Sequence, residues 1–165
     1  MSDDRTVEVW IKYNNLEKKI KGDASEVIRE LIRFMSENIP KLELISKLTL
    51  TVDEEKLLSS CSEIMKLTPE GVVVIIPTEH LTDRELILLH LAKVHIGYIT
   101  KNLDSERALI GDLITYTKKT AGTVAGRISE MCTEGLVERI GKGEYRITTY
   151  GLDYFMQNIL SKLAP

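Results

Sequence analysis

Val7, Val9, Ile11 and Tyr13 alternate with Glu8, Trp10 and Lys12, the period-two pattern of a strand with one covered face. Asn14-Asn15 tolerates positive φ and predicts a tight hairpin onto Leu16 to Lys21, which Gly22 ends. Asp23 and Glu26 then form an N-terminal capping pair. The helix they open carries Val27, Ile28, Leu31, Ile32 and Met35 on one stripe and stops before Pro40. Lys47 to Val52 alternates again and predicts a third strand, and Asp53 to Ser60 predicts a short helix. Ile64 to Leu67 and Val72 to Ile76 flank Thr68-Pro69-Glu70-Gly71, a turn signal that makes them a strand pair. Trp10 falls on the face opposite Val9 and Ile11, where it is either a ligand contact or part of a second covered face.

The polar stretch Pro77-Thr78-Glu79-His80 is the expected boundary between a domain over 1–77 and another over 78–165. Beyond it Thr82 and Glu85 form a capping box, and Leu86, Leu89 and Val94 continue an apolar helix to about Gly97. A second helix is predicted from about Ser105 to Tyr116, burying Leu109, Leu113 and Ile114. Lys118-Lys119 makes a short turn, Thr120 caps a third helix to about Glu134, and Gly135 stops it. Leu136 to Ile140 and Tyr145 to Thr148 are short strands joined by Gly141-Lys142-Gly143. The last helix carries Leu152, Phe155, Met156, Ile159, Leu160 and Leu163 at the helical period. That stripe is wide enough to cover the core and leave surface for a homodimer.

Composition narrows the function classes. Of 165 residues 43% are hydrophobic and 28% charged, ordinary for a soluble protein with a core. Val72 to Ile76 is the longest aliphatic run, and the chain opens on Met1-Ser2-Asp3-Asp4 with no signal sequence, so the expected location is the cytoplasm. Cys61 and Cys132 are expected as thiols in separate domains. His80, His90 and His95 lack metal-ligand spacing, and no GxSxG, Walker motif or nucleophile–base pair is present. Neither a cofactor nor an enzymatic activity is implied. The net charge of −3 is unevenly spread: residues 1–80 carry 11 Lys/Arg against 15 Asp/Glu, and residues 81–165 carry 11 against 10.

Three helices followed by a hairpin is the order of a winged helix. The stretch 117–131 (TKKTAGTVAGRISEM) resembles the turn and recognition helix of winged helix-turn-helix transcription regulators of the MarR/ArsR kind. Glu134-Gly-Leu-Val-Glu-Arg139 resembles their entry into the wing, and Tyr145-Arg-Ile-Thr-Thr-Tyr-Gly-Leu152 their exit into a closing helix. The first half resembles, by its element order alone, a ubiquitin-like (β-grasp) fold. The expected class is therefore α+β: a small mixed α/β domain, then a winged helix-turn-helix.

The spacing of the third helix agrees with that resemblance. Ala121, Val124, Ile128 and Met131 share one face, which leaves Thr123, Gly126, Arg127 and Glu130 outward. Lys118, Lys119 and Thr120 surround the free amides at its start, a natural phosphate site. Arg127 has the fork for guanine, and Lys142 at the wing tip is placed for the backbone or minor groove. From 118 to 146 six basic residues stand against four glutamates. The expected function is regulation of transcription on double-stranded DNA through Lys118, Lys119, Thr120, Thr123, Arg127 and Lys142. The first domain would sense a small ligand, mediate assembly or dock a protein. The alternative is an adaptor whose winged helix binds a protein partner.

Overall fold

The computed structural model describes residues 6–39, 45 and 47–163. The chain divides into two compact units, Met1–Thr49 and Leu50–Pro165.

In the first unit β1 (Val7–Tyr13) and β2 (Leu16–Gly22) pair antiparallel, with Val9 opposite Ile20 and Trp10 opposite Lys19. Asn14, at φ 54°, closes the hairpin. Helix α1 (Ala24–Asn38) starts where the Asp23 carboxylate accepts the Glu26 amide at 2.9 Å. Val27 and Phe34 face inward with Ile20 of β2, and Lys18 ties β2 to Glu30 of α1 at 2.9 Å. Ile28 and Ile32, expected on the buried stripe, are exposed: the inner face is centred on Val27, Leu31 and Phe34, and its neighbours at one position onward turn outward. Trp10 is 74% exposed on the outer face of the hairpin, near the Lys12–Glu17 and Lys19–Glu8 ion pairs.

The strand predicted over Lys47 to Val52 does not form. Lys47 and Leu48 are helical, and residues 49–52 have no regular structure. The two hairpins of the first half are separate two-stranded sheets, β1–β2 in the first unit and β3–β4 in the second, so the described residues do not make the single sheet of a β-grasp.

The second unit is mixed α and β around one helix. Helix α2 (Glu54–Cys61), capped by Asp53, leads to β3 (Met65–Thr68) and β4 (Gly71–Val74). Helix α3 (Asp83–Ile99) opens on the predicted capping box of Thr82 and Glu85 and buries Ile87 to Ala92 without interruption, so its middle is enclosed on every side. Around it lie Leu57 and Cys61 of α2, Met65 and Val72 of the hairpin, and Leu113 of α4 (Ile110–Thr117). The wall continues through Val124, Ile128 and Met131 of α5 (Ala121–Thr133). Pro77 to His80 is thus a turn inside this unit, not a boundary: α2 and β3–β4 bury their apolar faces in the same core as α3. Cys61 and Cys132, expected apart, both belong here as free thiols, and burial pushes Cys61 up to about 11.

A three-stranded antiparallel sheet, in the order β5–β7–β6, closes the unit: β5 is Ala108–Leu109, β6 Val137–Gly141 and β7 Glu144–Ile147. β5 and the connection before it occupy the residues predicted as the start of the second helix, so α4 begins at Ile110 and Leu109 is exposed. The final helix, α6, runs from Thr149–Tyr154 through a π-helical turn, Phe155–Ile159, into Leu160–Leu163. Thr148 caps it by accepting the Gly151 amide at 2.9 Å and donates to the Gly135 carbonyl at 2.6 Å. A Cβ at Gly151 would overlap the Leu136 carbonyl oxygen, which only glycine permits. Of the predicted stripe, Leu152, Phe155, Ile159, Leu160 and Leu163 are buried in the unit's own core, and Met156 is partly buried against it. No helix among the described residues is long and apolar enough to cross a membrane.

Candidate nucleic-acid interface

Helix α4 ends because Lys118 turns into the left-handed region, at φ 56°, while its amide still bonds the Ile114 carbonyl. A side chain there costs about 1 kcal/mol relative to glycine. Lys119 follows, and Thr120 caps α5: its hydroxyl accepts the Thr123 amide at 3.3 Å and lies 2.9 Å from the Thr123 hydroxyl. The first intrahelical bond is Val124 N–H to the Thr120 carbonyl, which leaves the amides of Ala121 and Gly122 pointing along the helix axis without an intrahelical acceptor. Lys118, Lys119, Thr120 and Thr123 are thus gathered at one helix start, all exposed.

Val124, Ile128 and Met131 face the core as predicted, but Ala121 is exposed. The outward surface of α5 is Ala121, Gly122, Thr123, Ala125, Gly126, Arg127, Ser129 and Glu130, nearly all small. A Cβ at Gly122 or Gly126 would meet nothing within 4 Å. Neither glycine is required by the packing of this chain.

Carboxylates from α3 and α5 hold part of the positive charge. Lys119 Nζ lies 3.1 Å from Asp83 Oδ1, and the Arg127 guanidinium reaches both Glu130 oxygens at 2.9 and 3.1 Å. Beside them Arg84 grips Glu134 with two donors, which lowers the Glu134 carboxyl below its usual range. Thr82, Asp83, Arg84, Arg127 and Glu130 border a shallow cleft at this edge. Lys118 forms no ion pair among the described residues.

Lys142 is exposed in the two-residue turn between β6 and β7, also without an ion pair among the described residues. Its turn is pinned: Ile110 donates to the Gly143 carbonyl at 2.9 Å, and Arg139 Nε to the Gly141 carbonyl at 3.1 Å. Lys142 therefore stands at the start of α4 and Lys118 at its end, eight helical residues apart, or about 12 Å along the axis. The remaining basic residue of the stretch, Arg146, is held by Glu138 at 2.8 Å and Glu106 at 2.5 Å and is not free for a ligand. Asp83 and Arg84 have no local signature of an interface; in the sequence they only open a distant capped helix.

Compared with protein-family models, curated proteins and solved structures, the chain matches none.

Proposed function

We propose that the second unit is a winged helix-turn-helix that binds duplex DNA, with α4 and α5 as the helix pair and β6–β7 as the wing. The observation that carries this reading is the outward face of α5. Two exposed helical glycines each cost roughly 1 kcal/mol relative to alanine, and nothing inside the molecule needs them. A phosphate backbone approaching to contact would. Lys118, strained where glycine would be relaxed, keeps a cation at the same end of the helix. Free amides at a helix start favour a phosphate oxygen.

On this reading Lys118, Lys119 and Lys142 contact phosphates and Thr120 and Thr123 offer hydroxyls. Arg127 reaches a base edge, exchanging Glu130 for guanine. Exposed ion pairs contribute about 0–1 kcal/mol, so giving up Asp83 or Glu130 is a small loss. With one long side chain on the face, base discrimination rests on Arg127, worth about 1–3 kcal/mol at one position. A small regulator of transcription fits this chemistry, with the first unit sensing a ligand, assembling or docking a partner.

The test is a duplex titration across salt concentrations. Replacing Lys118, Lys119 and Lys142 together by alanine should weaken binding to all duplexes and lower the log–log salt slope by about 0.9 per lost contact. Asp83→Asn should do the opposite and tighten binding, because it frees Lys119 and removes a carboxylate from the approach path. A winged helix that docks a protein would leave the parent indifferent to duplex, and both variants with it.

A further inference from the structure

A second feature of this unit lies away from the α5 face. The β3–β4 turn, α3, the connection before β5, and α4 enclose a cleft of about 640 Å³. His90 of α3 forms part of its wall and is only 7% exposed; its Nδ1 is sealed from solvent with no hydrogen-bond partner. The Tyr116 ring of α4 lies 4.7 Å from the imidazole, tilted by 47°. Lys93, one turn along α3, holds its ammonium 5.1 Å from the centre of the same ring. Lys93 is half-buried and forms no ion pair among the described residues. At the mouth stand the exposed carboxylates of Glu70 and Asp104, without an ion pair among the described residues, and Asp112, also exposed and near enough to Lys93 and His90 to favour their charged forms. Arg107, also at the mouth, is engaged by Glu144 at 3.3 Å.

The cleft is thus polarised: one partly desolvated ammonium inside, several solvated carboxylates outside. A simple anion would be attracted by Lys93 but repelled at the entrance. A simple cation would be drawn to the rim and refused by Lys93. An orphaned Nδ1 leaves the other ring nitrogen of His90 as the one able to meet a ligand, and burial keeps the ring neutral at pH 7 by holding its pKa at about 4. Its proton then sits best on that nitrogen, since a proton on Nδ1 would be a sealed donor with no acceptor. Val72, Val94 and Leu103 supply apolar wall.

We propose that this cleft binds a small α-amino acid, its carboxylate on Lys93 and His90, its ammonium toward Asp112 and Asp104, and its apolar side chain against Val72, Val94 and Leu103. The cavity lies within the range of small-molecule sites. The site stands on its own residues and does not require the DNA-binding reading.

The experiment uses the full chain, ¹⁵N-labelled, titrated with L-phenylalanine, with 3-phenylpropionate, which lacks the ammonium, and with phenethylamine, which lacks the carboxylate. L-Phenylalanine should give saturable shifts at the amides of His90, Lys93 and Tyr116, with each analogue roughly fivefold weaker, the loss expected for one partly screened charge pair. Lys93→Met should weaken L-phenylalanine and 3-phenylpropionate and strengthen phenethylamine, which the Lys93 ammonium repels. Asp112→Asn should weaken L-phenylalanine and phenethylamine instead. If Lys93→Met fails to fold, the exposed Asp112→Asn variant and the analogue series on the parent still decide. The proposal is overturned if L-phenylalanine gives no saturable shift at millimolar concentration, if either analogue binds as well as it does, or if neither charge removal changes the affinities.

Discussion

Burial of His90 makes the stability of the second unit sensitive to acid. The group is sealed mainly by desolvation, with Lys93 disfavouring a second positive charge, and its pKa falls from 6.5 to about 4. Between those values the unfolded chain binds a proton that the folded chain refuses, so stability is fully present above pH 6.5 and is lost as the pH drops toward 4. The shift corresponds to about 3 kcal/mol at the lower end. His90→Phe, which keeps the ring and its contact with Tyr116, should remove that component. Urea denaturation at pH 7 and pH 4 should therefore show the parent losing about 3 kcal/mol more than the variant. Parallel losses would mean that the imidazole takes up its proton without leaving the core. The sequence places His90 on an apolar helix and so anticipates its burial. That the ring lacks a partner depends on Tyr116 and on the β3–β4 turn, which no local pattern joins to it.

Among the elements, those with a cap and a stripe were legible and those fixed by a distant partner were not. Asp23, Thr82 and Thr120 cap helices where the sequence predicts them, because a cap acts within three residues, and Asp53, expected as the first residue of its helix, caps it instead. β5 is only two residues long and exists by pairing Ala108 with Tyr145 and Leu109 with Glu144. Its own residues look like the first turn of a helix. The π-helical turn in α6 shows the same limit, since a regular apolar period does not reveal where the helix widens. Helix α5 follows the sequence pattern in extent and in its outward face, apart from Ala121. There the prediction is a separation of stability from binding. Gly122→Ala and Gly126→Ala should each stabilise the fold by about 0.5–1 kcal/mol, as expected for an exposed helical site, and Lys118→Gly by a similar amount through relief of positive φ. All three should weaken duplex binding, two by holding the backbone off and one by removing a cation. Thermal melts and the same titration would be read side by side. Variants that gain stability and keep full affinity would show that α5 approaches nothing closely.

For the molecule as a whole, the sequence placed the division at a polar stretch, whereas the fold places it where apolar burial stops. Leu57, Cys61, Ile64, Met65 and Val72 precede that stretch and are buried in the core of α3. Each large apolar side chain contributes about 1.5–3 kcal/mol by burial, and a typical domain is stable by only about 5–15 kcal/mol. A fragment from Leu50 should therefore unfold cooperatively, while one from Thr78 should show no cooperative transition by circular dichroism; equal melts would restore the boundary at residue 78. The residues of the proposed interface are legible as exposed positions around one helix start, but the restraint of Lys119 by Asp83 is not, because an ion pair to a distant helix follows packing and not sequence order. The junction beneath the β6–β7 hairpin has a different consequence, for ancestry. Thr148 reaches back thirteen positions to Gly135 and forward three to Gly151, whose missing side chain lets the closing helix touch the Leu136 carbonyl. Saturation mutagenesis scored by cellular abundance should find Gly151 intolerant of every replacement, alanine included, while Thr123, Arg127 and Lys142 vary freely in that score. Descendants of this chain that drifted to other ligands would then keep the spacing of Gly135, Thr148 and Gly151 after most of their overall likeness had worn away, and those three residues would identify their kinship.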